Sequence, residues 1–328
     1  MQQRRREMTK TRPSLNDSAW RLAKKLCDEP EEYGVKIKET TSGAILIDAG
    51  IKAEGGFLAG KIVTEICLGG LGKAEVFTSR YNNLELPSIS VYTDYPAIAA
   101  LGSQFAGWQI KVEKYFAMGS GPARALALKP RELYEKIGYA DEADVAVLVL
   151  ETAKEPPESV ITYISNQCKI TPDRLLLILV PTTTVAGSTQ ISGRIVEEGV
   201  HKLTKLGLDP KSIIRACGYA PIAPVHPNFA EAMGRTNDAI IYAGVTCYTV
   251  RHEDDNKLEE LVNEATSLAS KSYGRPFIEI FKEANYNFYQ IDSGLFAPAV
   301  LIVTNAKTGS IFKAGETNIK VFKQSIGR

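Results

Sequence analysis

Long apolar runs are missing from this chain. No window approaches the ~18–20 apolar residues that a membrane-spanning helix needs, although 44% of its 328 residues are hydrophobic. Charge of one sign is missing too: 39 Lys+Arg face 38 Asp+Glu. That balance excludes the broad basic field on which nucleic-acid binding depends. Histidine and cysteine are scarce and scattered. His201, His226 and His252 stand apart, with no HxxxH or HxxE spacing that would make a metal site. The five cysteines (Cys27, Cys67, Cys168, Cys217 and Cys247) are odd in number and form no CxxC pair. A disulfide framework and a zinc knuckle are both excluded on that pattern, and buried thiols in a reducing cytoplasm are expected. The opening MQQRRREMTK has basic residues but no apolar core behind them, so it does not read as a secretory signal. Residues 1–12 are expected to form a disordered tail.

What is present suits a globular enzyme with 23% charged residues and enough length for two domains. Residues 14–26 have the stripe of an amphipathic helix, and residues 43–48 (GAILID) read as a short strand. Strands are expected at 88–93, 109–116, 145–150 and 175–180, with a helix from 155 toward 166 between the last two. That strand–helix–strand order predicts a βαβ unit buried on both faces. Further strands are expected at 211–216, 239–250 and 298–304, and one long helix at 256–273. The fold class is mixed α/β, with two domains. The first is expected at 13–130, joined by strands from 290–328. The second is expected at 145–289, with the charge-rich segment 129–144 as the crossing.

The most informative stretch is 180–205, opening VPTTTVAGSTQISGRIVEEGVHK. An apolar strand ends at Pro181, a Thr- and Gly-rich loop follows, and a helix then opens with Arg194 and Glu197. Residues three apart share a helix face, so a fixed cation stands beside a carboxylate at the carboxyl end of a buried strand. In open α/β sheets that is where ligands sit. The spacing alone favours an ordinary surface ion pair. Glu198 points about 100° further round and reads as solvated or as a partner of Lys202. The segment MGSGPARAL at 118–126 is a Gly-Ser-Gly-Pro run into a helix, with Arg124 adding charge. Gly119, Ser120 and Gly121 could let backbone approach an anion, or merely form a turn. A small-molecule kinase loop is the alternative, without a Walker lysine. In TEICLGGLG at 64–72, Glu65 could face a cleft or cap a turn. APIAPVHPN at 220–228 could form a stiff pocket wall.

Four of these motifs occur together and in order: TEICLGGLG, AMGSGPARA from Ala117, PTTTVAGSTQISGRIVE from Pro181, and CGYAPIAPVHP from Cys217. In this the chain resembles the methenyltetrahydromethanopterin cyclohydrolases of archaeal one-carbon metabolism and methanogenesis, from about residue 14 to the C-terminus. The resemblance implies reversible hydrolysis of a cyclic methenyl group on a pterin carrier to the N5-formyl carrier, with Arg194 and Glu197 as the catalytic pair. It also implies two tightly associated α/β domains with a ligand cleft between them, and a homotrimer that uses no metal and no nucleotide cofactor. Gly119, Ser120, Gly121, Arg124, Thr183, Thr184, Ser188 and Glu65 are the expected substrate contacts. A pterin binder without catalysis is a further class that turnover of the methenyl chromophore would separate.

Overall fold

The computed structural model describes residues 13–328, so the expected tail at 1–12 lies outside the described residues. Twelve strands are found among the described residues, in two six-stranded mixed sheets. The strands are β1 (Lys36–Glu39), β2 (Ile45–Asp48), β3 (Gly72–Tyr81), β4 (Leu84–Thr93), β5 (Trp108–Val112), β6 (Tyr115–Ser120), β7 (Ala146–Glu151), β8 (Leu175–Leu179), β9 (Ile213–Pro221), β10 (Val245–Val250), β11 (Val300–Asn305) and β12 (Ile311–Gly315). The helices that matter for the site are α1 (Leu15–Asp28), α2 (Phe57–Cys67), a π-helix at Ala97–Gln104, α3 (Ala123–Ala127), α4 (Arg131–Ile137), α5 (Glu158–Cys168), α6 (Val185–Ser192), α7 (Ile195–Lys205) and α8 (Phe229–Ala243).

The first sheet runs β1-β2-β8-β7-β6-β5. Its centre is the expected βαβ unit: β7 and β8 are parallel, joined through α5, and β2 lies parallel on the far side of β8. Every residue of β8 (LLLIL) is buried, as a strand covered on both faces must be. Ile47, Val147, Val149, Leu176 and Ile178 point to one face, against α1 and α2. Leu46, Leu148, Leu150, Leu175 and Leu177 point to the other, against α3 and α5. The second sheet runs β12-β11-β10-β9-β4-β3. Its inner face carries Ile89, Val91, Ala216, Tyr248, Leu301 and Val303, packed on α7 and the π-helix. On its other face Phe77, Tyr92, Cys217 and Tyr219 are exposed.

Sheet membership does not follow the division of the chain at residues 130–145. Strands β7 and β8, expected in the second domain, are the centre of the first sheet, while β3 and β4, expected in the first domain, belong to the second. The reason is that sheet neighbours are chosen by burial and hydrogen-bond register, which a pass along the chain does not reveal. Three elements also differ in kind. Residues 239–243 are the end of α8, not a strand; their five apolar residues are all buried, and full burial erases the periodicity that separates helix from strand. The helix expected at 256–273 stops at Glu264 and resumes as a 3-10 turn at Ser267–Ala269. The strand expected at 109–116 is a hairpin, turning at Glu113, whose φ is 54°.

Candidate active site

The Thr- and Gly-rich segment after β8 is not the expected loop but helix α6, capped by the Thr184 hydroxyl, which accepts from Gly187 N. Its glycines serve close packing. A Cβ on Gly60 of α2 would lie 2.4 Å from Cβ of Thr189, and one on Gly193 would lie 2.5 Å from Cγ2 of Thr64. Helices α2 and α6 therefore cross nearly backbone to backbone, and the chain breaks at Gly193 to start α7. Helix α7 buries Ile195, Val196, Val200 and Leu203 against the second sheet. Each such burial contributes roughly 1.5–3 kcal/mol. Gly199 lets the Tyr248 ring approach, and the Tyr248 hydroxyl donates to Val196 O at 2.9 Å. This seat fixes the rotation of α7 and so fixes where Glu197 points.

Glu197 and Arg194 are buried together, with side chains 2% and 11% exposed. Arg194 Nη2 donates to Glu197 Oε2 at 3.2 Å and to Gln104 O at 2.8 Å. Gln104, the last residue of the π-helix, returns a bond from its own Nε2 to Gly193 O at 3.0 Å. The junction between α6 and α7 is thus clamped to the π-helix from both sides. Two surface hollows of about 530 and about 500 Å³ lie elsewhere, and neither is lined by Arg194 or Glu197. The buried pair carries more weight than either, because taking two charges from water is expensive and needs a return.

An arginine beside a carboxylate lowers its pKa, and Arg194 does so for Glu197. Burial outweighs it and holds the Glu197 pKa above the ordinary carboxylate range, with Arg194 and then Arg124 pulling it back. A carboxylate held up in that way beside a fixed cation is suited to taking and returning a proton. Glu198 is half-buried rather than a solvated helix face, and burial, followed by the charge of Glu197, pushes its carboxyl up to about 8. His201 packs tilted against Phe105, centroids 4.7 Å apart, and burial holds its pKa down at about 4. No cluster of metal-ligating side chains occurs among the described residues.

Other expected contacts are engaged in the framework. Gly119 and Ser120 are the last residues of β6, not a loop, and pair with Leu150 and Val149 of β7. Gly121 is buried, with φ at 103°. Arg124 is fully buried and donates to the carbonyls of Lys129, Leu101 and Ser103. A strand end running into a five-residue helix leaves no phosphate-cradling loop, and the kinase alternative falls with it. Ser188 is buried and donates to Ala223 O at 2.7 Å. Glu65 is buried, accepts from Ala74 N at 3.2 Å and is flanked by Lys61 and Lys73 at 3.4 and 3.5 Å. Thr184 spends its hydroxyl on the cap of α6, while Thr183 is half-buried. Gln104 was not anticipated. It ends AIAALGSQ, a run of small apolar residues with nothing chemical about it, and no signal could have marked it. The thiols are all free, but Cys217 is exposed, against the expectation of burial.

The fold is a two-sheet α/β architecture with one carboxylate–guanidinium pair buried at a helix junction. A family model described as "Cyclohydrolase (MCH)" matches residues 14–326. A methenyltetrahydromethanopterin cyclohydrolase from Methanocaldococcus jannaschii is 44% identical over 317 residues, covering 96% of this chain and 98% of that protein. One from Methanothermobacter marburgensis is 43% identical over 319 residues, covering 96% and 99%. One from Methanosarcina barkeri is 43% identical over 315 residues, covering 96% and 98%. The chain belongs to the methenyltetrahydromethanopterin cyclohydrolase family and is a hydrolase. No helix among the described residues is long and apolar enough to cross a membrane.

Proposed function

We propose that this chain reversibly hydrolyses 5,10-methenyltetrahydromethanopterin to the 5-formyl carrier, in the cytoplasm, as a step of archaeal one-carbon metabolism. The observation that carries the reading is the buried contact of Arg194 with Glu197 at 3.2 Å, tethered to Gln104 O at 2.8 Å. The methenyl carbon bridges two nitrogens as an amidinium-like cation, so it is already electrophilic. Water attacks that carbon and Glu197 takes one of its protons. The adduct then opens at the bond to N10. Glu197 returns its proton to N10, the hydroxyl proton departs, and the carbon remains on N5 as a formyl group. One water is consumed and one proton released per turnover. Arg194 holds the carboxylate in place, lowers its proton affinity against the effect of burial, and can hydrogen-bond the forming oxygen. The negative charge of Glu197 also offsets the cation of the arriving substrate.

The chemistry needs no Lewis acid and no nucleotide, since the substrate carbon carries its own positive charge. Purified protein should bleach the methenyl chromophore at an unchanged rate after exhaustive chelation. A bound pterin that is never turned over would overturn the assignment, and a rate restored only by added metal would overturn the metal-free mechanism. We further propose a homotrimer, so light scattering should give three times 35.8 kDa at assay concentrations. A single 35.8 kDa species would refute that part.

A further inference from the structure

Arg124 is a fully buried cation with no carboxylate in salt-bridge contact among the described residues. Burial of that kind is rare for arginine, and its surroundings say what it does. Nε donates to Lys129 O at 2.9 Å, and Nη1 donates to Leu101 O at 3.1 Å and Ser103 O at 3.0 Å. The hydroxyl of Tyr134 donates to Gly102 O at 2.8 Å, and Gly121 N donates to Ser103 O at 2.8 Å. The three consecutive carbonyls before Gln104 are thereby all satisfied. These are the groups a helix end leaves without partners. The guanidinium also lies over the Phe105 ring, 5.3 Å from its centroid, and Phe105 in turn stacks on His201 of α7.

We propose that Arg124 is a positioning residue for the acid–base pair: it locks the end of the π-helix, so that the Gln104 carbonyl meets Arg194 and the Gln104 amide meets Gly193. This rests on the reading that Arg194 and Glu197 perform the hydrolysis. A π-turn is strained relative to an α-turn and is often found where function needs a backbone group out of helical register. Here the group left free at the end of the π-helix is the Gln104 carbonyl, which accepts from Arg194. A planar fork with several fixed donors can bridge three carbonyls and stack on an aromatic face; a lysine ammonium cannot. Arg124 also adds positive charge near Glu197, though it makes no contact with it.

The test compares Arg124→Lys and Arg124→Met with the parent, following kcat, KM, the pH–rate profile and thermal unfolding. The groups facing Glu197 are Arg194, Arg124, Glu198, Cys67 from α2 and Tyr248 from β10. Burial raises the Cys67 and Tyr248 pKa values, so in a Glu198→Gln background the acid limb reports Glu197. Arg124→Lys should lower kcat about ten-fold or more with KM within about two-fold and the acid limb in place, because the charge stays and the fork is lost. Arg124→Met should lower kcat and also move the acid limb upward. If Arg124→Met does not fold, Tyr134→Phe, which frees one carbonyl of the same helix end, should give a smaller loss in kcat at unchanged KM. Variants that melt earlier but keep the parent kcat and pH profile would overturn the proposal, and so would a raised KM with kcat intact, which marks a ligand contact. Glu197→Gln serves as the reference. If it turns over normally, the acid–base reading fails; if it is inactive while Arg124→Lys is normal, only this inference fails.

Discussion

Glu197→Gln should leave a folded protein whose kcat falls by about 10²–10⁴. The substitution keeps the shape of the side chain and a carbonyl oxygen to accept from Arg194, but it cannot take a proton from water. The amide still accepts from Arg194 but leaves that cation, 11% exposed, without its counter-charge, so the variant should unfold at a lower temperature than the parent while staying folded under assay conditions. A loss of turnover of that size in a folded variant is what a surface or purely structural ion pair would not produce. Bleaching of the methenyl chromophore reads the rate directly. A rate equal to that of the parent would place the base elsewhere; Glu198, half-buried one residue on and held up at about 8, is then the group to examine.

Arg194→Ala should be the more damaging change to stability, because it strands the Glu197 carboxylate and removes its hydrogen bond as well. Breaking a buried ion pair by removing one partner costs about 3–5 kcal/mol, and Gln104 O loses its donor in the same step. The pH dependence has a definite sign. Burial already raises Glu197 above the ordinary range, and Arg194 opposes that rise. Without the arginine the folded-state pKa climbs further, while the unfolded value stays near ~4.3. Between those two values the folded chain holds a proton that the unfolded chain has released, so stability falls as pH rises. The variant should therefore lose most stability at high pH and recover it as pH is lowered toward the unfolded value. Its acid limb should move upward in the pH–rate profile, and its kcat loss should not add to that of Glu197→Gln, since the two groups act as a unit. Chemical unfolding across the pH range, alongside single and double variants in the bleaching assay, checks both halves. A stability loss that is flat with pH would mean that Glu197 stays paired without Arg194.

Several features were legible because they depend on local pattern alone. The βαβ unit of β7, α5 and β8 follows from two apolar runs separated by an amphipathic one, and full burial of LLLIL needs no tertiary knowledge to predict. The Arg194–Glu197 contact follows from i,i+3 geometry on a helix, and the two side chains meet at 3.2 Å. The segment between Pro181 and Arg194 was harder. Threonine and glycine are weak helix formers, and their local preference suggests a loop. They form α6 because Gly60 and Gly193 let α2 and α6 approach at distances no larger side chain allows, and that packing offsets the poor propensity. The MGSGPARAL motif was read as a loop in the same way, yet Gly119 and Ser120 end a strand within a sheet. Its arginine was an expected substrate contact, and it is buried against the carbonyls of a π-helix whose existence nothing in AIAALGSQ announces.

Taken by itself, the amino-acid sequence determined the fold class, the central parallel strands, the contact of Arg194 with Glu197 and the family, since each rests on local pattern, on spacing within one element or on motifs contiguous in the chain. Only the tertiary structure decided which strands share a sheet, that Gln104 joins the pair, and that Glu197 is raised rather than lowered in proton affinity. Those outcomes depend on which groups exclude water from which others. Desolvation is a property of the whole packed surroundings, supplied here by α7, the π-helix and the second sheet, segments far apart along the chain.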